Sequence, residues 1–270
     1  MKHEPKRPIA FVLASTHHGS LIVNRHDYRL VDDSGYGVGY QLLNTSTFDA
    51  EEIRIVMQLL ETRKANYGPG VVALDCGANI GVHTVQWAKL MHHWGSVVAF
   101  EAQERIFYAL AGNIALNNCF NAKAVWAAVG AQTGEIGVPM PNYLTPASFG
   151  SLEIRKTANT EFIGQPIDYE QLHTTPLTNI DALELDRVDL IKIDIEGMEV
   201  EALRGAMDTL AKSTPQLIIE KIKSNEQEIE ALLKPLVYRL FPLGINLLAV
   251  HRSDPVCEHL ANNLAENQEK

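Results

Sequence analysis

Cysteine is scarce in this sequence. Only three cysteines occur in 270 residues, at Cys76, Cys119 and Cys257, and none of them forms a CxxC pair. Cysteines this far apart disfavour both the disulfide framework of a small secreted domain and a structural zinc site built from paired thiolates. They suit a reducing compartment, so we predict a cytoplasmic protein.

Long apolar runs and an excess of positive charge are also missing. No stretch of eighteen uninterrupted apolar residues occurs, so no membrane-spanning helix is predicted, and the apolar run at residues 9–14 is too short for a signal peptide. The chain carries 23 basic and 33 acidic side chains, which gives a net charge of -10. A surface of that sign repels phosphate backbones, so nucleic acid is not an expected partner.

The sequence does contain a hydrophobic content of 46%, which is enough for a full core in a chain of this length. After residue 70, apolar runs alternate with segments of helical period. The predicted strands are residues 71–75, 96–101, 122–129, 188–194 and 215–220. Strands that are apolar on both faces and separated by helices indicate a parallel sheet covered on both sides. We therefore predict an α/β fold with a doubly wound, mostly parallel sheet.

Other segments flank and interrupt the predicted sheet domain, which spans residues 50–255 and begins with a helix. Residues 1–49 contain short strand-like pieces between turn-forming residues, which predicts a small β appendage or cap. Residues 134–181 keep neither the helical nor the strand period for long and are predicted to form an irregular insertion. Two strands around "PLG" follow, and residues 256–270 are predicted to be a tail with a frayed end.

The stretch "DCGANIG" (75–81) joins the first predicted sheet strand to a helix, where an open α/β sheet binds its ligand. The dinucleotide fingerprint GxGxxG has a middle glycine that admits a pyrophosphate. Here Gly77 and Gly81 flank Asn79, and Asp75 precedes them. The acid repels a pyrophosphate and attracts a ligand that carries an ammonium and a sulfonium. The turn therefore favours S-adenosylmethionine over NAD.

The second predicted strand ends in Glu101, about twenty residues further on. A carboxylate at that place can accept hydrogen bonds from both ribose hydroxyls of an adenosine. This feature alone does not separate the two cofactors, because NAD enzymes use the same contact.

At this point the sequence resembles the FkbM-type methyltransferases, a family of S-adenosylmethionine-dependent O-methyltransferases. The resemblance covers about residues 50–222 and depends on "DCGANIG", "FEAQ" (100–103), "AAVG" (127–130) and "VDLIKIDIEGMEVEALRGA" (188–206). It implies a Rossmann-like class I methyltransferase fold, S-adenosyl-L-methionine as cofactor, and a hydroxyl of a saccharide or other small metabolite as methyl acceptor.

The resemblance also implies roles for the matching residues. Glu101 would hold the ribose, and Ala102 and Ala128 would flank the adenine, although the family more often has Pro at position 102. Cys76 also departs from the family pattern, where a small aliphatic residue is usual, and neither departure removes a carboxylate or a glycine. The methionine half would be lined by Asp75, Gly77, Asn79 and Gly81. The predicted cofactor-binding residues are Asp75, Gly77, Ala78, Asn79, Gly81, Glu101, Ala102 and Ala128.

The stretch "LIKIDIEGME" places charges at the end of an otherwise apolar strand. If the strand continues, Lys192, Asp194 and Glu196 share one face. Buried charges at such a place are costly unless they are paired or used, so we predict a methyl-transfer site here. A hydroxyl is a poor nucleophile until its proton leaves, and the predicted bases are Asp194, Glu196 and, at the end of the next strand, Glu220.

Several alternatives remain open at this level. Three carboxylates at neighbouring strand ends could hold Mg²⁺, but the sequence offers no further ligands, so no metal site is predicted. Lys192 could have no catalytic role and simply anchor the strand through an ion pair with Asp194 or a neighbouring acid. His83 follows the glycine turn, but it shares a helical stripe with Trp87, which favours a packing role. Tyr143, Phe149 and Tyr169, in the predicted insertion, could shape an acceptor pocket.

Two other functions compete with methyl transfer. One is an NAD(P)-linked oxidoreductase on a similar sheet, which the missing middle glycine disfavours. The other is a catalytically silent nucleoside-binding module, which the acids at positions 194 and 196 argue against.

Overall fold

The computed structural model describes residues 8–32 and 34–268, with side chains as far as residue 262. The first seven residues of the predicted appendage and the last two of the predicted tail lie outside this range. The elements before the main sheet are β1 (Phe11–Thr16), β2 (Gly19–Asn24), β3 (Arg29–Val31), β4 (Ser34–Tyr36), α1 (Val38–Thr45) and α2 (Ala50–Tyr67). β1 pairs with β2 and β3 with β4, both antiparallel.

The rest of the chain alternates strands and helices. Its first half contains β5 (Val71–Cys76), α3 (Val82–Leu90), β6 (Gly95–Glu101), α4 (Glu104–Leu116), β7 (Ala122–Trp126), β8 (Ala128–Val129), β9 (Gly134–Pro139) and β10 (Leu172–Thr178). Its second half contains β11 (Leu190–Ile193), α5 (Glu199–Arg204), α6 (Met207–Ser213), β12 (Gln216–Glu220), α7 (Glu226–Leu233), β13 (Tyr238–Leu243), β14 (Asn246–His251) and α8 (Pro255–Gln268).

Seven of these strands form one sheet in the order β13-β14-β12-β11-β5-β6-β7. All neighbours pair in parallel except those of β14, which is antiparallel to both β12 and β13. The chain runs from β5 outward through β6 to β7, then returns to the other side of β5 with β11. The predicted doubly wound, mostly parallel sheet is confirmed, and its topological switch point lies between β5 and β11, where open α/β sheets bind ligands.

The core lies on both faces of this sheet, because its strands are apolar on both sides. Leu190 of β11 and Ile218 of β12 belong to one buried cluster, whereas Ile191 and Leu217 belong to the other. This alternation covers the sheet on both faces and leaves its carboxyl edge as the place for polar side chains.

The structure corrects the sequence analysis at several elements. The strand predicted at 122–129 divides after Trp126, and β8 pairs instead with β10 in a separate three-stranded sheet that also contains β9. The segment predicted to be irregular at 134–181 therefore begins and ends with strands. The predicted β appendage also contains helix α1, and helix α8 occupies most of the predicted tail. β8 and α1 have only two and eight residues, too few to show a clear period in the sequence.

Polar contacts attach the N-terminal hairpin to the sheet domain. Asn113 is fully buried on α4, where its side-chain Oδ1 accepts from the Ile22 backbone N–H at 2.6 Å and its Nδ2 donates to the Ile22 carbonyl at 3.2 Å. Asp27, also buried, accepts from the backbone N–H groups of Phe149 and Gly39. These contacts bring residues 8–49 against the same edge of the molecule as the segment between β9 and β10.

A buried charge network lies at the opposite, amino edge of the sheet. Arg63 of α2 binds Asp189 at 3.1 Å and Asp254 at 3.0 Å, and all three side chains are buried. Asp189 also pairs with Arg187 and accepts from the backbone N–H of Val72, which ties α2, β5 and β11 together.

Replacing Arg63 with Ala is expected to lower the free energy of unfolding by about 3–5 kcal/mol, because it leaves buried carboxylates without their counter-charge. Denaturant unfolding measures the change. Arg54→Ala is the matched control, since Arg54 is exposed on the same helix and donates a hydrogen bond to the Gln58 side chain at 3.3 Å. Equal midpoints for the two variants would contradict the role given to this network.

Among the described residues, no helix combines the length and the hydropathy that crossing a bilayer requires.

Candidate functional site

A cavity of about 440 Å³ lies at the carboxyl edge of the sheet, and we call it the strand-end cavity. Its volume is within the range of about 300–1,000 Å³ that small-ligand sites occupy. The segments that follow β5, β6, β11 and β12 supply its walls, together with residues of the N-terminal region and of the segment after β9. The predicted site residues that line it are Asp75, Gly77, Ala78, Asn79, Glu101, Ala102, Ala128, Asp194, Glu196 and Glu220.

Gly77 sits where the turn after β5 packs against the end of β11. Its φ is 83°, and a Cβ built on it would overlap with the backbone oxygen of Asp194. The backbone N–H groups of Gly77 and Ala78 both donate to the Phe100 carbonyl, at 3.0 and 2.9 Å. The turn is therefore fixed between two neighbouring strands, and only glycine allows this close approach.

Gly81 is the one predicted site residue outside the cavity lining. Its φ is 85°, and a Cβ there would lie 2.5 Å from Leu110 Cδ1 on α4. The second glycine of the turn thus serves the packing of the α3 start against α4. The spacing of glycines in the sequence does not distinguish ligand contact from helix packing.

Asp75 is buried at the end of β5 and is only partly satisfied. Thr84 Oγ1, from the first turn of α3, donates to its Oδ2 at 2.5 Å, whereas its Oδ1 has no hydrogen-bond partner among the described residues. Burial raises the pKa of Asp75, and the nearby Lys192 ammonium acts in the opposite direction. A buried carboxylate oxygen without a partner is a costly feature that a cationic ligand would relieve.

Glu101 is held from two sides at the end of β6. Its Oε2 accepts from the Asn79 backbone N–H at 2.9 Å and its Oε1 accepts from the Gln103 backbone N–H at 2.8 Å. Burial raises the pKa of Glu101 to about 7, against the effect of these hydrogen bonds. Both oxygens keep a lone pair, so the carboxylate is oriented to accept from two further donors.

The strand that carries the predicted bases ends earlier than expected. β11 stops at Ile193, and Glu196 lies in a turn with φ 56°, so the three charged residues do not continue one strand face. Lys192 Nζ donates to Asp194 Oδ2 at 2.7 Å. Burial alone would lower the pKa of Lys192, but Asp194, Asp75 and Glu52 together raise it, so the ammonium stays charged.

Glu196 and Glu220 are the two other predicted bases, and their surroundings differ. Glu196 forms an ion pair of 2.5 Å with Lys223, and burial followed by the neighbouring Asp194 raises its pKa to about 8. Glu220 accepts from the Ile222 backbone N–H through Oε1, but its Oε2 has no partner among the described residues. Burial, Asp194 and Glu199 raise the pKa of Glu220 to about 7.

Sequence reasoning missed a polar network at the mouth of the site. Lys223 contacts Glu161 at 3.2 Å as well as Glu196, and Glu161 accepts from Tyr36 at 2.6 Å and pairs with Arg29 at 3.2 Å. Three segments far apart in sequence meet there. Lys223 follows β12 by three residues, so its position at a strand end was the one signal available.

The aromatic residues suggested for the acceptor pocket lie elsewhere. Phe149 is fully buried and packs against Tyr143 with ring centroids 4.9 Å apart, and the Tyr169 hydroxyl donates to the Glu153 carbonyl. His83 packs edge-on against Trp87 as predicted, at 5.5 Å, and in addition it lines the cavity. Burial holds the pKa of His83 well below its usual range, so its ring is neutral.

Residues 75–240, which supply most of these cavity walls, match the family described as the methyltransferase FkbM domain. The chain belongs to this FkbM methyltransferase family. The matched segment begins at Asp75 and includes all the predicted cofactor-binding and catalytic residues. It leaves out the N-terminal residues that also line the cavity.

The chain is also similar to individual proteins and solved structures. A methyltransferase named sdnD from Sordaria araneosa is 26% identical over 193 residues, which are 63% of this chain and 74% of the relative. The solved structure of methyltransferase FkbM from Methylobacillus flagellatus KT is 17% identical at a TM-score of 0.46, with a match over 67% of this chain and 44% of that one. A SAM-dependent methyltransferase from Aquifex aeolicus is 15% identical at a TM-score of 0.34, over 76% of this chain and 97% of its own.

Proposed function

We propose that this FkbM-family protein transfers a methyl group from S-adenosylmethionine to a hydroxyl of a saccharide or other small metabolite. The observation that carries the proposal is the presence of two buried carboxylates in one cavity: Asp75, whose Oδ1 has no partner in the described part of the chain, and Glu101, held by two backbone N–H groups. We further propose that it works in the cytoplasm, where its three buried free cysteines stay reduced.

The cavity residues fit the groups of this cofactor. Asp75 would accept from the ammonium of the methionine half, which provides the missing partner for its Oδ1. Glu101 would accept from both ribose hydroxyls, since each of its oxygens keeps one lone pair. Ala102, just after β6, and Ala128, at the start of β8, offer small apolar walls for the adenine.

When bound, S-adenosylmethionine supplies a methyl group activated on a positively charged sulfur. The protein aligns the acceptor oxygen with that methyl group and removes the hydroxyl proton. Of the three predicted bases, Asp194 is held by Lys192 and Glu196 by Lys223, whereas the Oε2 of Glu220 has no partner among the described residues. We therefore propose Glu220 as the base that accepts the hydroxyl proton, with Asp194 as the neighbouring predicted base that raises its pKa.

An NAD(P)-linked oxidoreductase is the rival function. The turn carries the Asn79 side chain where a dinucleotide site has its middle glycine, and Asp75 would face the pyrophosphate. A silent nucleoside-binding module is the other rival, and turnover of any acceptor would exclude it.

Titration of the purified full chain by calorimetry tests the proposal. We expect saturable binding of S-adenosylhomocysteine and no binding of NAD or NADP. Asp75→Asn is expected to weaken the binding of S-adenosylhomocysteine by roughly 10–100-fold, because a charge-assisted hydrogen bond of about 1.5–3 kcal/mol is lost.

Asp186→Asn is the control, since Asp186 is fully exposed and lies outside the cavity. Binding of a nicotinamide nucleotide without binding of S-adenosylhomocysteine would overturn the proposed function.

A further inference from the structure

The N-terminal region supplies part of the strand-end cavity. Gln41, Phe48 and Asp49 line it, next to the cavity walls formed by β5 and β11. These residues precede the segment that matches the family, which begins at residue 75. They are therefore features of this chain that the family assignment does not explain.

Every lysine of the cavity lining is already paired with an acid. Lys192 binds Asp194 at 2.7 Å, and Lys223 binds Glu196 at 2.5 Å and Glu161 at 3.2 Å. Among the described residues, the lining contains no arginine. A phosphate or carboxylate on an acceptor would therefore meet no unpaired lysine or arginine from this part of the chain.

Asp49 is in the opposite situation. Within the described chain, it forms no ion pair, and its side-chain contact is a 3.5 Å hydrogen bond from the Gln41 amide. Asp49 is an exposed residue that borders the cavity, so its carboxylate is open to a ligand. Partial burial of the carboxyl raises its pKa and Asp194 adds to that effect, whereas the Gln41 hydrogen bond and Lys192 oppose it. A cation bound at this carboxylate would offset the repulsion from Asp194.

The neighbour of Asp49 also favours a cation. Phe48 lines the same cavity, and its ring lies 6.4 Å from the neutral His83 ring. A carboxylate beside an aromatic ring is the combination that recognises ammonium groups, through a charge-assisted hydrogen bond and a cation–π contact.

We propose that the methyl acceptor carries a protonated amine, and that Asp49 and Phe48 bind this amine while the acceptor hydroxyl lies at Glu220. The inference rests on the proposed function, because it names the acceptor class for the same cavity. It makes Asp49 the specificity-determining residue that the N-terminal region adds to the family's sheet.

The test uses the full chain saturated with S-adenosylhomocysteine and three matched hexoses as probes: glucosamine, glucose and glucuronate. We expect glucosamine to bind at least tenfold more tightly than glucose, and glucuronate to bind more weakly than glucose. Calorimetry or ligand-observed NMR measures the three affinities.

Variants assign the preference to the proposed residues. Asp49 has φ 38° and ψ 47°, a left-handed conformation that Asn also adopts, so Asp49→Asn removes the charge without new backbone strain. We expect Asp49→Asn to lower the affinity for glucosamine to that for glucose. The affinity for glucose, which carries no amine, should stay the same. Phe48→Leu is expected to weaken the binding of glucosamine several-fold. Asp186→Asn is expected to change the affinity for neither sugar.

The outcomes separate the two proposals. If S-adenosylhomocysteine fails to bind, the proposed function is overturned. If it binds, but the protein binds glucosamine no more tightly than glucose, the amine inference alone is overturned. The same holds if Asp49→Asn still binds glucosamine more tightly than glucose. Absence of detectable glucosamine binding to the saturated protein also overturns it.

Discussion

Gly77→Ala is expected to abolish measurable binding of S-adenosylhomocysteine while the sheet stays folded. The added Cβ would overlap with the backbone oxygen of Asp194, and a backbone atom at the end of a buried strand cannot move aside as a flexible side chain can. The turn must then separate from the end of β11. Asp75 and Asn79 belong to the same turn, so the contacts proposed for the methionine half and the ribose shift together.

The backbone conformation adds a smaller, separate cost. With φ at 83°, any residue with a Cβ loses about 1–2 kcal/mol in the left-handed region. Gly68→Ala is the control for a positive φ without a steric overlap, because Gly68 has φ 79° and ψ 179°, a region that strains any residue with a Cβ, but a Cβ there would meet nothing within 4 Å. We expect both variants to lose stability from the backbone conformation, and only Gly77→Ala to lose cofactor affinity, by more than a hundredfold.

Calorimetric titration gives the affinities, and thermal unfolding followed by circular dichroism shows whether each variant is folded. If Gly77→Ala bound S-adenosylhomocysteine as tightly as Gly68→Ala, the close approach of the turn to β11 would have no part in holding the ligand.

The sheet and its edge were predictable from the sequence for a physical reason. Strands buried on both faces show as continuous apolar runs, and the predicted positions of β5, β6, β11 and β12 differ from the structure by only one or two residues at an end. Because parallel strands all end at the same edge, polar residues just after these runs had to meet. Asp75, Glu101, Asp194 and Glu220 do line one cavity.

The other walls of the cavity could not be predicted in this way. Asp49 reaches the site through an N-terminal region that packs Leu21 and Val23 of β2 into the main core and is further fixed by the hydrogen bonds between Asn113 and Ile22. Glu161 reaches Lys223 from a long segment without a period. Contacts between single polar groups far apart in sequence leave no pattern in either partner, so only the structure reveals them.

Gly81 illustrates a different limit. Its spacing from Gly77 indicated a second ligand contact, and the structure gives it a packing contact with Leu110 instead. A glycine in a sequence indicates that space or a positive φ is needed, but it does not indicate what occupies that space.

Glu220→Gln is expected to lower the rate of methyl transfer by about 10²–10⁴-fold, the usual contribution of a positioned base. Cofactor affinity should stay within about twofold, since Glu220 belongs to no proposed cofactor contact. Asp194→Asn should also lower turnover and spare cofactor affinity, but by less, because it removes a neighbour that raises the pKa of Glu220. Glu196→Gln should likewise lower turnover by less than Glu220→Gln and spare cofactor affinity, because it removes the ion-pair partner of Lys223 in the same cavity. The control is Glu228→Gln, whose side chain forms an exposed ion pair with Arg204 outside the cavity.

The pH dependence distinguishes a base from a structural carboxylate. The pKa of Glu220 is raised to about 7, so kcat/KM should rise with pH up to about 7 and then level, and the residual activity of Glu220→Gln should lack this rise. The same raised pKa makes stability fall with rising pH, whereas kcat/KM rises. Between the unfolded pKa of about 4.5 and the folded value of about 7, the folded state holds a proton that the unfolded state has lost, so stability falls as pH rises.

Glu220→Gln removes that loss of stability. Its melting temperature relative to the unmodified protein should therefore increase as pH rises from about 4.5 to about 7 and stay constant above it, while Glu228→Gln shows no such trend. A stabilised variant without turnover is the combination expected when a protein keeps an ionisable group buried for its chemistry. If the variant gained stability in this pH range and kept full turnover, Glu220 would be a buried carboxyl without a role in the reaction. The base would then be Asp194 or Glu196.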